Sequence, residues 1–365
     1  MKSLTKLMKK WNRFRLLAVL VVPALVLTAC SSGSASSSTG TSSSSSGGKS
    51  APVTIGVAAI TEGAAVVTEE ISTIQQGAKL LGWKTVVLNA NGDPAQMAAD
   101  MSALVNQNVN IIYDLAIQPA SAQQGLEAAK AKGIPVIEIG APVIDPNHLT
   151  AVTYAPSDAH MANLLAAQMI KDYPHGAKVL NLAASSIPAI VIRSQTLLND
   201  TKGTGIQVVA THQTDLANPV TDTQTADADA IHANPAINMI WALQDFEFTT
   251  SVQTIRSQNL GNVGVYAFYL DPSDFGILRS MKGTSSHAAV VDSPIQYTPW
   301  YALDATVNKF ILKKSDWITP QSIKPLPYTL VTPNNVQATG DTYPYPSFQP
   351  FFVQRWKAEG VKVNS

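Results

Sequence analysis

Residues 53–59 read VTIGVAA, a short uncharged run rich in β-branched residues, and this pattern predicts a strand buried inside a sheet. The next segment carries apolar residues three and four positions apart, which predicts a helix with one buried face. These apolar residues are Ile71, Ile74, Ala78 and Leu81. A buried strand followed by an amphipathic helix is the repeating unit of an α/β fold.

The same alternation continues along the first part of the chain. Gly133 stands where a helix would end in a left-handed residue, and Pro135 prevents that helix from continuing. The predicted elements are strands over 84–88, 111–113 and 135–139, a helix around Met97, Met101 and Leu104, and a helix over 121–132. Successive units of this kind predict a parallel sheet with helices on both faces.

A second series of strands and helices begins at Asp158, which we expect to be the N-cap of a helix through Met169. The predicted strands are 178–182, 207–212, 239–242, 265–268 and 287–291, and the predicted helices lie near 190–198, 221–232, 248–258, 273–281 and 301–312. The Pro- and Tyr-rich residues beyond show no clear periodicity. The roughly 315 residues from Ala51 onward exceed what one core usually serves, so two lobes are expected.

The first 30 residues have the features of an export signal. Six Lys or Arg residues precede an apolar run from Leu16, and the segment ends in LTAC at residues 27–30. The pattern resembles a bacterial lipoprotein signal, so we expect cleavage before Cys30 and lipid attachment to it. A transmembrane helix over 16–29 is the alternative, but it would reach only about 21 Å against a hydrocarbon core of about 30 Å, and Pro23 interrupts it.

Residues 31–50 contain twelve serines, a composition with too little apolar surface to fold. We expect this segment to be a flexible tether to the membrane. Without the leader the chain carries 19 basic and 25 acidic residues, because six of the 25 Lys and Arg lie in the first 29 residues. The resulting formal charge of −6 argues against nucleic-acid binding. Because Cys30 is the only cysteine, its acylation would leave no thiol for chemistry.

Motifs of the common enzyme classes are missing from the sequence. The six histidines are dispersed, and none forms the i, i+4 pair that places two imidazoles on one helix face for zinc. Gly203 and Gly205 begin like a dinucleotide-binding loop, but Val208 takes the place of the third glycine. A phosphate-binding GxxxxGK[ST] loop and a GxSxG nucleophile turn are missing too. We therefore predict no cofactor, no metal and no enzymatic activity, although an active site without a sequence motif stays open, since acid pairs can come together from anywhere in the chain.

Several short motifs, in this order and spacing, resemble the sugar-type periplasmic binding proteins of the ribose-binding group. They are TIGV at 54–57, QQGA at 75–78, NANGDP at 89–94, GIPVI at 133–137, YAPSD at 154–158, IWALQD at 240–245 and VYAF at 265–268. The resemblance implies the type I fold, with two Rossmann-like lobes whose parallel sheets are joined by a three-segment hinge near Tyr154, Asp292 and Pro325. It also implies a monomer that binds a small solute between the lobes and delivers it to an ABC permease.

On this basis the chain divides into five parts. We predict a signal peptide over 1–29 and an acylated cysteine with its linker over 30–51. The first lobe is predicted over 52–153 plus 293–324, the second lobe over 154–292 plus 325–335, and a C-terminal tail over 336–365.

Polar residues at the carboxyl ends of strands are the candidate ligand contacts, because open α/β sheets bind ligands there. In the first lobe they are Thr61, Glu62, Asp114 and Gly140, and in the second lobe Arg193, Gln244, Asp245, Tyr269, Asp271 and Asp292. Such groups suit the hydroxyls of a polyhydroxylated ligand. Other interpretations stay open, since Asp245 and Asp271 could be helix N-caps and Arg193 a surface ion-pair partner.

Three places depart from the family pattern. Val66 and Val67 stand where many members carry aromatic residues that sandwich the sugar. Gly140 and Ala141 replace an Asp–Arg pair, and a pocket arginine aligns near Val191. These changes predict a roomier and less polar site, for a sugar, an alditol, a modified sugar or a non-sugar solute.

Two other functions fit the same sequence. The exported domain could pass its closed form to a signalling partner instead of a permease. It could also be a surface hydrolase that uses an acid pair drawn from Glu62, Asp114 and Asp245.

Overall fold

The computed structural model describes residues 52–63, 65–215, 218–317 and 324–364. The predicted export leader, the lipid-attachment residue Cys30 and the serine-rich linker lie outside the described residues. The described residues form two α/β sheets with helices packed on them, which confirms the predicted fold class.

The first sheet has five parallel strands in the order β2-β1-β3-β4-β5. They are β1 (Thr54–Ala59), β2 (Lys84–Asn89), β3 (Ile111–Leu115), β4 (Val136–Ile139) and β5 (Val152–Tyr154), connected through α1 (Ala65–Leu81), α2 (Pro94–Asn106) and α3 (Pro119–Ala131). Strand β1 is buried on both faces, because Val57 joins the core beside α1 whereas Ala58 joins the core beneath α2 and α3. An uncharged strand is required at such a place.

The second sheet has six strands in the order β11-β10-β9-β8-β6-β7, parallel except for β11, which pairs antiparallel with β10. The strands are β6 (Ala177–Ala183), β7 (Ile206–Gln213), β8 (Met239–Ala242), β9 (Gly264–Phe268), β10 (Ala288–Asp292) and β11 (Thr329–Val331). Its helices are α4 (Asp158–Asp172), α5 (Pro188–Asp200), α6 (Pro219–Ala233), α7 (Asp245–Ser257) and α8 (Pro272–Met281). The parallel strands place their carboxyl ends at one edge, where ligands bind in open α/β sheets.

After β10 the chain returns to the first lobe. Helix α9 (Thr298–Thr306) continues into a π-helical turn over Val307–Ile311 and packs against α1. Helix α10 (Gln349–Ala358) adds Phe352 and Trp356 to the same core, where their rings lie 6.3 and 6.0 Å from that of Trp300. Residues 348–361, for which the sequence predicts no structure, are therefore part of the first lobe.

Over the residues that the structure describes, the chain passes between the lobes at four places. Three lie between β5 and α4, between β10 and α9, and near Tyr328 before β11, close to the predicted hinge positions. The fourth lies between Tyr345 and Phe348. The hydroxyl of Tyr345 is hydrogen-bonded to Asp292 of the second lobe, whereas Phe348 belongs to the core of the first lobe. Leu326, which we assigned to the second lobe, is buried in that core too. The residue boundaries of the lobes otherwise stay a prediction.

The predicted N-cap of α4 is wrong by one residue. Ser157 is the N-cap, because its Oγ accepts a hydrogen bond from the backbone N of His160 at 3.2 Å. Asp158 is the first helical residue, and its carboxylate turns inward. Other boundaries shift by a few residues, and β5 escapes prediction because it is only three residues long.

Candidate functional site

A cavity of about 510 Å³ lies between the lobes, at the carboxyl ends of the second sheet. The second lobe contributes the start of α5 and the residues after β8, β9 and β10, and the first lobe contributes one side of α1 and the approach to α9. We call this cavity the cleft. It is lined by Val66, Glu69, Ile187, Ala189, Ile190, Arg193, Gln244, Asp245, Tyr269, Leu270, Asp271, Pro272, Phe275, Asp292, Ser293, Pro294, Ile295, Gln296, Asp341, Thr342, Tyr343 and Tyr345.

The predicted contacts divide by lobe. All six in the second lobe line the cleft, namely Arg193, Gln244, Asp245, Tyr269, Asp271 and Asp292, and the four in the first lobe do not. Thr61 and Glu62 lie in the turn after β1. There Thr61 Oγ1 accepts from the backbone N of Gly63 at 3.0 Å, and the backbone N of Glu62 donates to Asn89 Oδ1 at 3.1 Å. These two residues stabilise the turn.

Gly140 follows β4 and is needed for packing within the first lobe. Its φ of 84° is a left-handed conformation, and a Cβ there would lie 2.5 Å from Oε1 of Glu70. Glu70, on α1, accepts a hydrogen bond from Thr298 Oγ1 at 3.2 Å. Burial raises the pKa of Glu70 from 4.5 to about 8, and the nearby Glu69 adds to this rise while the Thr298 hydroxyl opposes it.

Asp114 likewise turns into the first lobe. Its side chain is fully buried at the end of β3, where Oδ1 accepts from the backbone N of Ile117 at 3.0 Å. Burial raises the pKa of Asp114 well above its ordinary value, and burial together with Asp114 does the same for Glu138 on β4. The strand ends of the first lobe therefore hold buried acids that favour the protonated form.

Arg193, on α5, is an interior residue, so the surface ion pair considered above is wrong. It is 6% exposed, and its Nε donates to Asp158 Oδ1 at 2.7 Å while Nη1 donates to the carbonyl of Leu243. The guanidinium carbon lies 4.8 Å from the ring centroid of Phe268 and 5.1 Å from that of Tyr269. Burial alone would lower the pKa of Arg193, but the Asp158 carboxylate together with Tyr269 and Asp245 raises that pKa overall. One edge of a fixed cation thus faces the cleft.

Gln244 is held at the start of α7 by an acid three residues later. Its backbone N donates to Glu247 Oε2 at 3.0 Å and its Nε2 donates to Oε1 at 2.9 Å, an arrangement that orients the side chain at the cleft. Thr214 Oγ1 donates to the same Oε1 at 3.0 Å. Burial raises the pKa of Glu247 to about 7, against the lowering effect of these hydrogen bonds. Gln244 is the N-cap of α7, so the N-cap interpretation of Asp245 is wrong.

The start of α8 repeats this construction. Asp271 is the N-cap, as one of the open interpretations holds, and its backbone N donates to Asp274 Oδ2 at 2.9 Å. Thr249 Oγ1 donates to Asp274 Oδ1 at 2.7 Å, which ties α7 to α8 behind the cleft. Burial raises the pKa of Asp271, and the neighbouring Asp245 raises it further.

Tyr269 follows β9 with a strained backbone. Its φ is 62°, a left-handed conformation that is costly for a bulky residue, and its backbone N donates to the carbonyl of Val291 at 2.8 Å. Tyr269 stands beyond the end of β9, so the alternation of a pleated strand does not set its direction; its ring packs against the same core cluster as the fully buried Phe268 and also lines the cleft. Strain of this kind concentrates at functional sites.

Asp292 ends β10 at one of the crossings, and Ser293 follows it. Asp292 Oδ1 accepts from the backbone N of Leu270 at 3.1 Å, and its Oδ2 accepts from the hydroxyl of Tyr345 at 2.8 Å. Burial raises the pKa of Asp292, although these two hydrogen bonds oppose the rise. The Ser293 hydroxyl is buried, lines the cleft, and has no hydrogen-bond partner among the described residues. A buried hydroxyl without a partner is destabilising, and a ligand would satisfy it.

The cleft is richer in acceptors and negative charge than in cations. Five carboxylates line it, against Arg193, whose charge Asp158 already balances. They belong to Glu69, Asp245, Asp271, Asp292 and Asp341. These carboxylates accept hydrogen bonds from hydroxyls and disfavour the binding of anionic ligands.

Sequence reasoning missed the contribution of residues 293–296 and 341–345. Ser293 could have been found, because it directly follows a strand-end candidate, Asp292. Tyr343 and Tyr345 carry no such signal, since they follow the last strand by more than ten residues. Among the described residues no group of three or more His, Cys, Asp or Glu side chains could hold a metal ion, and no helix is both long and apolar enough to cross a bilayer.

Comparison with known proteins places this architecture in a family. A sequence model of the periplasmic binding protein domain matches residues 55–309, more than half of the chain. The chain belongs to the periplasmic binding protein family. None of the curated proteins matches it. The family match ends at residue 309, so the C-terminal part of this periplasmic binding protein, including the cleft residues 341–345, lies outside it.

Solved structures share the fold of this periplasmic binding protein at low sequence identity. An ABC sugar transporter subunit from Rhodobacter sphaeroides has a TM-score of 0.69 and 16% identity, covering 78% of this chain and 99% of that chain. A 5-methylthioribose transporter solute binding protein from Thermotoga lettingae, in complex with 5-methylthioribose, has a TM-score of 0.64 and 17% identity, with 83% and 97% coverage. An ABC transporter solute binding protein from Agrobacterium vitis with bound allitol has a TM-score of 0.65 and 17% identity, with 78% and 97% coverage. These similarities establish the two-lobed type I fold.

Proposed function

We propose that this protein is the solute-binding component of an ABC importer, which captures a small polyhydroxylated solute in the cleft and passes it, chemically unchanged, to a membrane permease. The observation that carries the proposal is the row of polar groups at the strand ends of the second lobe, facing the first lobe across a cavity of about 510 Å³. Cavities of this size hold small molecules. The ligands bound in two similarly folded proteins, 5-methylthioribose and allitol, are of this class.

The chemistry of the cleft favours a neutral sugar, alditol or modified sugar. Asp271 and Asp292 offer carboxylate oxygens to hydroxyl donors, and Gln244 and Ser293 add an amide and a hydroxyl. Apolar side chains line the same cavity, so one side of the solute can be less polar; they include Val66, Ile187, Ile190 and Phe275. An anionic solute would be repelled by the carboxylates.

Capture is proposed to work by hinge closure. A solute that contacts both lobes binds the closed arrangement better than the open one and shifts the population towards it. Ser293 lies in the crossing between β10 and α9, where a hydrogen bond to the solute would act directly on the hinge.

We further propose that the protein is exported, loses residues 1–29, and stays at the membrane as a monomer through a lipid on Cys30. The serine-rich residues that follow would hold the lobes away from the bilayer, about 25 Å for a flexible linker of this length. Replacing Cys30 by serine should release the protein from the membrane fraction, and intact-mass analysis of the wild type should show the acyl chains. Membrane association that persists in Cys30→Ser would contradict the lipid anchor.

The solute is identified by calorimetric titration of residues 51–365 with pentoses, hexoses, alditols, 5-methylthioribose, nucleosides and amino acids. We expect one of the sugars or alditols to bind near micromolar, about −8 kcal/mol, and to be recovered unchanged after release. Asp292→Asn should weaken it about tenfold, because a charged acceptor is lost.

Asp172→Asn is the matched control. Asp172 also accepts a hydrogen bond from a tyrosine hydroxyl, that of Tyr266 at 2.7 Å, but it does not line the cleft. The affinity of Asp172→Asn for the solute should equal that of the wild type. Binding confined to nucleosides or amino acids would contradict the solute class, and a chemically altered product would favour the hydrolase over a binding protein.

A further inference from the structure

We propose that the C-terminal residues 341–345 are a specificity-determining wall of the cleft, which places the rings of Tyr343 and Tyr345 against the solute. The inference rests on the proposed function, because it assigns part of that same site. It concerns residues beyond the family match, which ends at residue 309. The two tyrosines would also provide an aromatic surface in a chain that has Val66 and Val67 where the family pattern has aromatic residues.

The wall is anchored on both sides of the cleft. On the second lobe, Arg279 Nη1 donates to the carbonyl of Gly340 at 2.7 Å, and Val336 is buried in the core. On the first lobe, Phe348 is 1% exposed and packs 5.9 Å from the ring of Tyr301. Residues 341–345 therefore span between two fixed points instead of trailing from the fold.

The sequence of the wall makes it stiff. Tyr343 and Tyr345 alternate with Pro344 and Pro346, whose rings fix φ and restrict the residue before each of them. The backbone N of Tyr345 donates to the carbonyl of Tyr343 at 2.9 Å, a three-residue turn about Pro344. The two tyrosine rings are thereby held 4.7 Å apart. A preformed aromatic surface loses little entropy when a ligand binds it.

The wall is connected to the polar part of the site. The hydroxyl of Tyr345 donates to Asp292 Oδ2 at 2.8 Å, next to the buried Ser293 hydroxyl, for which the described part of the chain offers no hydrogen-bond partner. The rings are half-buried and line the cavity together with Asp341 and Thr342. An aromatic face beside hydrogen-bond acceptors recognises a solute with hydroxyls on one side and an apolar face or substituent on the other.

The selected class is accordingly a sugar or alditol with an apolar face or an alkyl or deoxy substituent. A solute that exposes hydroxyls on every side would leave some of them against the aromatic rings without partners, which costs affinity. The pair 5-methylthioribose and ribose probes this difference directly, because the two share a pentose skeleton and differ in the alkylthio group.

The test compares Tyr343→Ala, Tyr343→Phe and wild type of residues 51–365, by calorimetric titration with 5-methylthioribose, ribose, allitol, galactose, adenosine and leucine. Loss of the ring should weaken the tightest-binding compound about tenfold, whereas Tyr343→Phe, which keeps the ring, should stay within about twofold. Phe351→Ala is the matched control. Phe351 is a half-buried aromatic residue of α10 that does not line the cleft, and its variant should bind like the wild type.

Each outcome decides between the two proposals. Wild-type binding that Tyr343→Ala leaves unchanged would overturn the aromatic wall and leave the proposed function standing. If the wild type binds only adenosine or leucine, the proposed solute class fails, and a tenfold loss in Tyr343→Ala on that compound still supports the wall. If Phe351→Ala weakens binding as much as Tyr343→Ala, or if the wild type binds none of the compounds, the wall is overturned.

Discussion

Replacing the buried Glu70 by glutamine should make the protein more stable at neutral and alkaline pH. Glu70 is 2% exposed, and burial raises its pKa from 4.5 to about 8. Between these two values the folded protein binds a proton that the unfolded chain has released, so the free energy of unfolding falls as the pH rises. Below about pH 4.5 both states are protonated, and the group has no effect on the pH dependence.

The size of the effect follows from that interval. Each pH unit between 4.5 and about 8 removes about 1.4 kcal/mol, which gives about 3 kcal/mol at pH 7 and about 5 kcal/mol above pH 8. Glutamine at this position carries no proton to lose and can still accept a hydrogen bond from the Thr298 hydroxyl. Glu70→Gln and wild type should therefore have similar stability at pH 4.5 and diverge steadily up to pH 8.

Urea unfolding of residues 51–365 at pH 4.5, 6, 7, 8 and 9 measures this difference. Glu69→Gln is the control, since Glu69 is its exposed neighbour on the same helix. Its pH profile should stay close to that of the wild type, with a slightly smaller loss of stability above pH 4.5, because burial is the main cause of the raised pKa of Glu70 and the Glu69 charge adds to it. Profiles of wild type and Glu70→Gln that stay parallel from pH 4.5 to 9 would refute the reasoning, because they would show that Glu70 ionises in the folded state as it does in the unfolded state.

Three other variants test contacts in and near the cleft. Urea unfolding at pH 7 measures the stability of the first two, and titration with the solute at several pH values measures the third. Gly140→Ala should cost about 2 kcal/mol or more, because alanine must adopt a φ of 84° and its Cβ would meet Glu70 Oε1 at 2.5 Å. Arg193→Met should cost about 3 kcal/mol, since it leaves the buried Asp158 carboxylate without its partner, and Asp158→Asn in the same chain should recover part of that loss. Tyr345→Phe should raise the pKa of Asp292, whose oxygen loses the donor at 2.8 Å, and pH-dependent solute binding should shift to higher pH with it.

Each of these has a clear contrary result. Gly133→Ala, at a helix end with a φ of 67° and nothing within 4 Å of the added Cβ, separates the conformational cost from the clash with Glu70. Equal losses at both glycines would contradict the clash. If Arg193→Met and the double variant have equal stability, Asp158 is solvated or protonated when the arginine is absent. Solute binding by Tyr345→Phe with an unchanged pH profile would show that the carboxylate does not titrate in the range measured.

Most elements of the fold could be predicted because they are specified locally. The run at 53–59 is uncharged since Val57 and Ala58 contact cores on opposite faces of β1. Gly133 ends α3 with a φ of 67°, as its place before Pro135 predicts. Helix α10 could not be predicted this way. Its aromatic residues Phe352 and Trp356 pack into a core that other parts of the chain form. The local sequence therefore does not show which face of this helix is buried.

The site was half predictable for a related reason. The rule that ligands lie at strand ends located all six candidates of the second lobe, where capping acids such as Glu247 and Asp274 hold the strand-end residues at the cleft. In the first lobe the four candidates do not line the cleft, because packing uses the same positions. Gly140 has no side chain because Glu70 occupies its space, and Asp114 turns inward to the backbone of Ile117. Sequence position alone does not distinguish the two uses.

The C-terminal crossing changes what the proposed closure of the cleft would require. A hinge made of three crossings can rotate by small changes in each, but here a fourth segment joins Tyr345, hydrogen-bonded to Asp292 at the β10 crossing, to Phe348 in the core of the first lobe. Pro346 fixes its own φ in this short connection, so Ser347 is the one residue between Tyr345 and Phe348 with both backbone dihedrals free to change if the lobes move. A rotation larger than Ser347 can absorb must break the hydrogen bond between Tyr345 and Asp292 or draw the aromatic wall along with the first lobe. In either case a solute that touches the wall and Asp292 together acts on two crossings at once, and this couples its binding to the position of the lobes.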